Sequence, residues 1–333
     1  MALDITELDR DEAATWNDAL ARTPERTPFH RFEALKLFGD AADADLHPLM
    51  ARKGQEPVGL FPVFTVQRGP LTAAFSPPPE LKVTYLGPVV LAQAGMKAHS
   101  REKRRKRFVS GAIDWLDEHH DPAYTHVRTS VGVPDMRPFD WATFSETPRF
   151  TYVVDLDAEP SALRDRFSRD ARSNVRDAEE VCSVTEAGEP AIERIVGQVQ
   201  DRHAEQDLEF PLTADFVLAL YRALPDGYLR PYACRVDGEF VGGTLVLDDG
   251  ERVYNWQGTA KQDSEYDVND LLHWTVIRDA ASRDVSAYDL VGANDPRLSR
   301  YKSKFAPTLR TYHSLERSST GVGTAARLYR RLA

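Results

Sequence analysis

Two segments of this chain match each other at a constant spacing, and this internal repeat limits the fold more than any other feature. LHPLMARKGQEPVGLFPVF begins at Leu46 and LRPYACRVDGEFVGGTLVL begins at Leu229, an offset of 183 residues, since 229 − 46 = 183. Each copy predicts a strand, a tight polar turn and a second strand, which is a β-hairpin. The identical positions are Leu46/Leu229, Pro48/Pro231, Arg52/Arg235, Glu56/Glu239, Val58/Val241, Gly59/Gly242 and Val63/Val246.

The repeat has two interpretations, chance similarity between hairpins or duplication of a whole domain. The segments around each hairpin favour duplication, because both halves alternate helical and strand patterns. In the first half, helices are predicted in ITELDRDEAATWNDALAR, TPFHRFEALKLFG and SREKRRKRFVSGAIDWLDEHH. In the second half, they are predicted in SALRDRFSRDARSNVRDAEEV, ADFVLALYRALPDG and VNDLLHWTVIRDAASRD.

These patterns predict an α/β (α+β) fold of two tandem domains, each a mixed, mostly antiparallel sheet flanked by helices. A polar stretch with a proline at Thr147–Pro148 marks the predicted boundary. We therefore expect one domain at 1–147, a second at 148–316, and a basic tail or helix at 317–333.

Composition limits the location and the chemistry. No run of about 18 apolar residues is present, so we expect no transmembrane helix. The acidic N-terminus lacks the features of a secretory signal, and we expect a cytoplasmic protein. Cys182 and Cys234 lack metal-site spacing, and His119 and His120 lack a third ligand, so no metal site is predicted. The net charge of −10 fits an acidic proteome, and we expect no DNA partner.

Basic side chains on the helix around Asn174 form the first candidate site. Arg169, Arg172 and Arg176 lie three and four residues apart on one stripe, where guanidinium groups can hold phosphate or carboxylate oxygens. The alternative is a solvated helix face in which neighbouring aspartates pair with these arginines.

Two further candidates lie near strand ends. The segment from Gln257 to Asp270 leads into a helix whose N-terminus could seat an anion or could simply be capped. Asp289 ends a predicted strand and is followed by a loop containing Lys302 and Lys304. Ligands of α/β folds collect at such strand ends, although Asp289 could instead bind loop amides.

The order of several motifs is similar to that of the second domain of FemAB-like acyltransferases, members of the GNAT (Gcn5-related N-acetyltransferase) superfamily. The first half resembles a degenerate GNAT domain of the same family, so two tandem GNAT-like domains are implied over about residues 3–315. The matching positions are Arg172-Asn174-Val175-Arg176-Ala178, Asn269-Leu272-Trp274-Ile277-Ala280, Tyr288-Asp289-Leu290-Val291-Gly292 and Tyr301-Lys302-Phe305.

This resemblance implies transfer of an acyl or aminoacyl group from an activated donor to an amine. The implied donor is acyl-CoA or aminoacyl-tRNA, with no tightly bound cofactor, and the implied acceptor is a small-molecule or lipid-linked amine. The chain shows no recognisable GNAT diphosphate loop between Val246 and Asn269, so the donor stays open.

By position, the resemblance implies two catalytic candidates and a set of binding residues. Lys302 would contact donor phosphate or the developing oxyanion, and Asp289 would orient the site or accept a proton. The other members would bind substrate or donor: Arg172, Asn174, Arg176, Trp256, Asn269 and Gly292. Lys304 lies outside the matched motif and is expected to serve as a control for Lys302.

Two alternative functions remain at this point. One is a catalytically silent GNAT-fold binding module that uses the same cleft. The other is an RNA- or membrane-surface protein that acts through the basic run Arg101 to Arg107 and the C-terminal helix, by peripheral contact.

Overall fold

The structure, a computed structural model, describes residues 3–91, 95–260 and 266–319. The chain forms two compact units, unit 1 at 1–149 with 311–333, and unit 2 at 150–310. Residues 311–316, which the sequence assigned to the second domain, belong to unit 1, where Ser314 pairs with Arg128. Most of the predicted tail at 317–333 lies outside the described residues, since 320–333 are not among them.

Unit 1 contains a mixed sheet in the order β1-β2-β3-β4-β6-β13, with the short β5 paired to β3. Pro28–His30 forms a 3-10 turn. The elements up to the boundary are β1 (Asp4–Glu7), α1 (Ala13–Leu20), α2 (Phe32–Ala42), β2 (Asp45–Lys53), β3 (Glu56–Arg68), β4 (Leu71–Ser76), β5 (Val89–Val90), α3 (Ala98–His120), β6 (Tyr124–Arg128), α4 (Arg137–Trp141) and β7 (Ser145–Asp155).

Unit 2 contains a second mixed sheet in the order β7-β12-β11-β10-β9-β8. The strands β7 and β13 carry the chain between the units. The elements after β7 are α5 (Pro160–Asp165), α6 (Arg169–Glu179), β8 (Cys182–Glu186), α7 (Glu189–Ala204), α8 (Ala214–Ala223), β9 (Leu229–Val236), β10 (Glu239–Asp248), β11 (Arg252–Ala260), α9 (Val268–Ser282), β12 (Ala287–Asp289), α10 (Pro296–Ser303) and β13 (Thr308–Ser318).

The two repeated segments form hairpins with the same register. In β2–β3, Ala51 pairs with Gly59 and the register shifts before Arg52 pairs with Pro57. In β9–β10, Cys234 pairs with Gly242 and the register shifts before Arg235 pairs with Phe240. Each of these positions differs from its counterpart by 183, so the repeat preserves even the position of a β-bulge. The predicted tandem α/β architecture is confirmed.

One sequence-based expectation about the first helix is wrong. The segment Asp4–Glu7, which the sequence placed in the first helix, is a strand paired antiparallel to β2, with Ile5 opposite Ala51. An open strand edge competes successfully with the local helical pattern in this segment, because pairing there satisfies its backbone groups.

Helices cover both faces of the unit 2 sheet. Tyr232 pairs with Thr244, so it points to the opposite face from the adjacent Gly243. A Cβ added at Gly243 would lie 2.5 Å from a side-chain atom of Ile195 on α7, so α7 packs closely on that face. On the other face, Tyr232 donates a hydrogen bond to Asp279 of α9. The core on this side includes Phe167, Ala171 and Val175 near α6 and Leu272, Val276 and Ile277 of α9.

Candidate active site

Two neighbouring parallel strands separate at the centre of unit 2. β11 and β12 pair only from Arg252↔Ala287 to Tyr254↔Asp289. Beyond this point the chain after β12 follows β7, because the Leu290 amide donates to the Tyr152 carbonyl at 2.8 Å and the Ala293 amide to the Phe150 carbonyl at 2.8 Å. β11 meanwhile continues to Ala260 beside β10. A wedge therefore opens between β11 and the segment that follows β12.

A β-bulge lies at the point where the strands separate. Leu245 of β10 pairs with Gln257, but Val246 pairs with Asn255, which leaves Trp256 as the extra residue on β11. A bulge bends its strand and interrupts pairing, so this one accounts for the separation of β11 from β12. The side chain of Trp256 is 5% exposed.

Two consecutive left-handed residues form a turn at the end of β12. Val291 has φ of 51° and Gly292 has φ of 84°. A Cβ added at Gly292 would meet no atom within 4 Å, so this turn borders open space. The Asp289 Oδ1 accepts a hydrogen bond from the Val291 amide at 2.8 Å and one from the Thr151 hydroxyl at 2.7 Å. The Thr151 oxygen in turn accepts one from the Gly292 amide at 2.9 Å.

Lys302 holds the same turn through its carbonyl groups. Its Nζ donates to the Val291 oxygen at 2.7 Å and to the Gly292 oxygen at 2.9 Å. The lysine lies in the last turn of α10, which begins where the Asp295 side chain accepts from the amides of Arg297 and Leu298. Burial lowers the pKa of Lys302 to about 8, while the negative charge of Asp289 acts in the opposite direction.

Asp289 is fully buried beneath the turn. Burial raises the pKa of its carboxyl group, whereas the bonds from Thr151 and Val291 and the charges of Arg252 and Lys302 lower it. Its Oδ1 is engaged within the fold, by the Val291 amide of the turn and by the Thr151 hydroxyl of β7.

A second polar cluster surrounds the first turn of α9. The Asp270 Oδ2 accepts hydrogen bonds from the Lys304 Nζ at 2.6 Å and from the Asn174 amide nitrogen at 2.8 Å. Asp270 is 1% exposed, so the carboxylate is buried and its charge is paired. Asn269 lies beside it on the same turn and is half-buried. This cluster connects α6, α9 and the C-terminal end of α10.

His273 lies one turn further along α9, between the two clusters. Its Nδ1 is 2.8 Å from the hydroxyl oxygen of Tyr288, and its ring packs against Tyr301 and Phe305. Burial lowers the pKa of His273 to about 3, and the positive charges of Lys302 and Lys304 act in the same direction. The histidine is therefore neutral near pH 7.

The arginines of α6 take local partners. Arg172 donates through Nη1 to the backbone oxygens of Asp165, at 3.1 Å, and Phe167, and so closes the end of α5. Arg176 forms an ion pair with Asp177 at 2.8 Å, with both side chains more than half exposed. The Arg176–Asp177 pair is a contact of the solvated-face alternative, whereas Arg172 binds backbone oxygens and no aspartate carboxylate in these bonds.

The predicted site residues thus fall into three groups. Asp289, Gly292 and Lys302 meet directly at the end of β12, and Asn174 and Asn269 lie at the first turn of α9. Trp256 forms the bulge, while Arg172 and Arg176 contact neither cluster through the hydrogen bonds described above.

Sequence reasoning missed Thr151 and Asp270 and placed Lys304 outside the site. The available signal for Thr151 was a polar residue inside the alternating strand FTYVVDLD. Asp270 and Lys304 are 34 residues apart in sequence, and no local pattern joins them.

Neither unit offers an evident metal centre. Among the described residues, no group of three or more His, Cys, Asp or Glu side chains could hold an ion. Part of the predicted loop before α9, residues 261–265, lies outside the described residues.

The corresponding gap in unit 1 is filled by the chain itself. β4 and β6 pair in parallel up to Ser76↔Val127, the topological counterpart of β11 and β12. The Leu86 amide donates to the Arg128 oxygen at 3.1 Å, and the Gly87 amide donates to the Ser76 hydroxyl oxygen at 3.0 Å. Leu86 is fully buried. The segment beyond β4 therefore occupies the space between these strands. In unit 2, among the described residues, which leave out 261–265, no backbone pairing joins β11 to the segment that follows β12.

The basic run Arg101 to Arg107 is engaged largely by acids of unit 1. Arg104 pairs with Glu56 at 2.9 Å, Arg105 pairs with Glu25, and Lys106 pairs with Glu102 at 2.6 Å. No helix among the described residues combines the length and apolarity needed to cross a bilayer.

Comparison with known proteins finds a family match in the part of the chain that contains the wedge. The family model Acetyltransf_6, described as acetyltransferase (GNAT) domain, matches residues 164–303. This range contains the bulge, Lys302 and most residues of both polar clusters, although Thr151 precedes it and Lys304 follows it. No curated protein sequence matches the chain.

Solved structures match nearly the whole chain at low sequence identity. The structure of FemX has a TM-score of 0.74 at 11% identity and covers 99% of both chains. The C-terminal domain of a putative lysylphosphatidylglycerol synthetase from Agrobacterium fabrum has a TM-score of 0.55 at 14% identity, and the match covers 96% of this chain and 95% of that one. A tandem GNAT protein from the clavulanic acid biosynthesis pathway has a TM-score of 0.52 at 14% identity, and the match covers 95% of this chain and 98% of that one. At these identities the likeness establishes the fold.

Proposed function

We propose that the protein is an N-acyltransferase whose donor lies in the wedge of unit 2, because residues 164–303 match a GNAT-domain family model and the whole chain shares the fold of FemX. The donor would be acyl-CoA or aminoacyl-tRNA, and the acceptor a primary amine. The observation that carries this proposal is the separation of β11 from β12 at the Trp256 bulge.

The wedge suits a donor that carries an amide or ester carbonyl. β11 runs on beside β10 after it has left β12, so a donor chain could bind along its open side as an additional strand would. The donor carbonyl would then lie near the end of β12, next to the Val291–Gly292 turn.

Lys302 is the group at that point with capacity for a ligand oxygen. An ammonium group has three N–H donors, and two of them are used by the carbonyl oxygens of Val291 and Gly292. These two bonds fix Nζ in place, and the third N–H can stabilise negative charge that develops on the donor carbonyl oxygen. Because this N–H group is already oriented, it needs no rearrangement during the reaction.

The reaction requires little covalent chemistry from the protein. The amine nitrogen attacks the donor carbonyl carbon, and the bond from that carbon to the thioester sulfur or ribose oxygen breaks. The proton that the nitrogen loses is taken up by the departing sulfur or oxygen, directly or through solvent, so the products are an amide and a thiol or alcohol. Catalysis would arise mainly from holding both reactants in the wedge and from stabilising the oxyanion. Asn174, Asn269 and Trp256 would line the donor side.

The acceptor in this proposal is a small-molecule or lipid-linked amine. The name of one structural neighbour, a putative lysylphosphatidylglycerol synthetase, describes an aminoacylated lipid and so supports a lipid as the carrier of the acceptor group, although phosphatidylglycerol itself offers a hydroxyl and not an amine. Exposed Arg176 could exchange Asp177 for an anionic group of such a substrate, and Arg172 has further N–H groups beyond its Nη1.

The decisive experiment measures acyl transfer with and without Lys302. Wild-type protein and Lys302→Gln are incubated with a panel of acyl-CoAs or aminoacyl-tRNAs and amines, and product is detected by mass spectrometry. We expect product from the wild type. In Lys302→Gln the rate of product formation should fall about 100-fold, because one hydrogen-bond donor to the oxyanion is lost. Lys53→Gln, at the exposed end of β2, is the matched control and should retain full activity.

Other outcomes would favour the alternative functions. Donor binding without product over the whole panel would indicate a silent binding module. Activity or binding that survives Lys302→Gln but disappears when Arg101 and Lys103 are neutralised would indicate a surface that contacts RNA or membrane, and the transferase proposal would then be wrong.

A further inference from the structure

Side chains hold all four backbone polar groups of the Val291–Gly292 turn, its two N–H groups and its two carbonyl oxygens. Both amide nitrogens donate to the Asp289–Thr151 pair, and both carbonyl oxygens accept from Lys302. Three separate elements, β7, β12 and α10, supply these side chains. The turn therefore contributes a fixed backbone whose main polar contacts are already made.

Such a turn needs restraint, because its conformation is unfavourable. Val291 is a β-branched residue at a φ of 51°, where its side chain clashes with the backbone. Open space adjoins Gly292, so packing on that residue does not enforce the conformation. The hydrogen bonds of the surrounding side chains are what hold the left-handed pair.

Thr151 has the central position among these bonds. Its hydroxyl donates to the Asp289 Oδ1 at 2.7 Å and accepts from the Gly292 amide at 2.9 Å. It is fully buried on β7, and β7 pairs directly with β12 through Val153↔Asp289. A hydroxyl can both donate and accept, so threonine or serine can fill this position and valine, which is similar in shape, cannot.

We propose that Thr151 is a positioning residue for acyl transfer, whose hydroxyl joins the Asp289 carboxylate to the Gly292 amide and so fixes the turn on which Lys302 is anchored. This inference rests on the proposed function for its catalytic consequence. Thr151 lies outside the region matched by the family model, and it acts through the turn and Lys302.

The anchoring has a direct structural consequence. Without the hydroxyl, the Gly292 amide loses its partner and the turn can relax from its left-handed conformation. The carbonyl oxygens that hold the Lys302 Nζ then move with it, and the third N–H is no longer aimed at one place. Donor binding along β11 should change little, because none of these groups belongs to β11.

The test compares Thr151→Val and Thr151→Ser with a matched control. Thr65→Val removes another buried threonine hydroxyl with a defined partner, the His47 Nε2 at 2.9 Å, in unit 1. Hydrogen exchange of the Val291 and Gly292 amides is measured by mass spectrometry in the full chain. We expect exchange to rise at least about 10-fold in Thr151→Val and to stay near wild type in Thr151→Ser and Thr65→Val.

Kinetics supply the second readout. In Thr151→Val, kcat should fall about 10- to 100-fold while KM for the donor stays within about 3-fold, and Thr151→Ser should restore kcat. If Thr151→Val does not fold, Thr151→Ala, which removes the hydroxyl without overpacking, is measured in its place.

The outcomes separate this inference from the proposed function. Exchange at the turn that stays within about 2-fold of wild type in the hydroxyl-less variant measured, Thr151→Val or Thr151→Ala, would overturn the inference, as would faster exchange with unchanged kcat. Absence of acyl transfer in the wild type, together with faster exchange in Thr151→Val, would remove the proposed function and leave the turn restraint supported.

Discussion

Lys304 and Asp270 form an ion pair at 2.6 Å in which the carboxylate is 1% exposed and the lysine side chain 18% exposed. The sequence motif left Lys304 out of the site, and its expected use as a neutral control is therefore unsuitable. Its ammonium also lies 4.3 Å from the ring centroid of Tyr301, on the same helix as Lys302.

We predict that Lys304→Ala destabilises the protein by about 3 kcal/mol. The buried Asp270 carboxylate would lose the counter-charge of Lys304 and would keep the hydrogen bond from Asn174. Urea denaturation measures the change. The double variant Lys304→Met with Asp270→Asn should recover most of the loss, since no buried charge then lacks its counter-charge. A loss below about 0.5 kcal/mol in the single variant would show that the pair is unimportant.

Lys302 should make stability rise in mildly alkaline solution. Its folded pKa of about 8 lies below the usual 10.5, so between these values the unfolded chain binds more protons than the folded protein. Stability contributed by this group thus increases from about pH 8 to 10.5, by about 3 kcal/mol in all. The free energy of unfolding, measured from pH 7.5 to 10.5, should lose this increase in Lys302→Gln and keep it in Lys53→Gln.

His273 should make the protein sensitive to acid. Its pKa is about 3 in the folded protein and 6.5 ordinarily, so as pH falls below 6.5 the unfolded chain takes up a proton that the folded protein does not. Stability is lost progressively between pH 6.5 and 3, by about 2 kcal/mol at pH 5.

His273→Gln should flatten this part of the stability profile, measured by thermal or urea unfolding from pH 7 to 5. His203→Gln, on the half-buried part of α7, serves as the control. An unchanged slope in His273→Gln would mean that the ring is protonated or exposed in the folded protein.

Val291 should be replaceable by glycine with a gain in stability. Glycine relieves the strain of the positive φ of 51°, and this gain exceeds the cost of its greater freedom in the unfolded chain. We expect a net stabilisation of about 1 kcal/mol. Val184→Gly in the regular strand β8 should destabilise by a similar amount. Differential scanning calorimetry would separate the two, and destabilisation by Val291→Gly would show that the valine side chain contributes packing worth more than the strain.

Most of the fold could be predicted from local sequence patterns. The hairpins at Leu46 and Leu229, the long helix α3 and the tandem arrangement follow from periodicity and turn residues, which act over a few neighbours. Asp4–Glu7 was mispredicted because its strand partner lies more than 40 residues away in sequence, so local propensity could not reveal the pairing.

The candidate site divides in the same way. Motif order determined that Asp289, Gly292 and Lys302 belong together, and the structure brings all three to one turn. Motif order did not distinguish the two arginines of α6 from the residues at that turn. In the structure Arg172 binds backbone carbonyl oxygens and Arg176 pairs with Asp177. The reason is that a helical arginine stripe looks the same whether it binds a ligand or its own neighbours.

The sequence by itself determined the duplicated hairpin, the tandem α/β units and the residue types gathered after Asp289. Only the tertiary structure decided that Thr151 contacts the turn, that Lys304 neutralises Asp270, and that the segment beyond β4 fills the gap between the parallel strands of unit 1. The sequence is informative where a contact depends on residues close together along the chain. These three relationships join residues on separate elements, and their partners become neighbours only when the sheet and helices have packed.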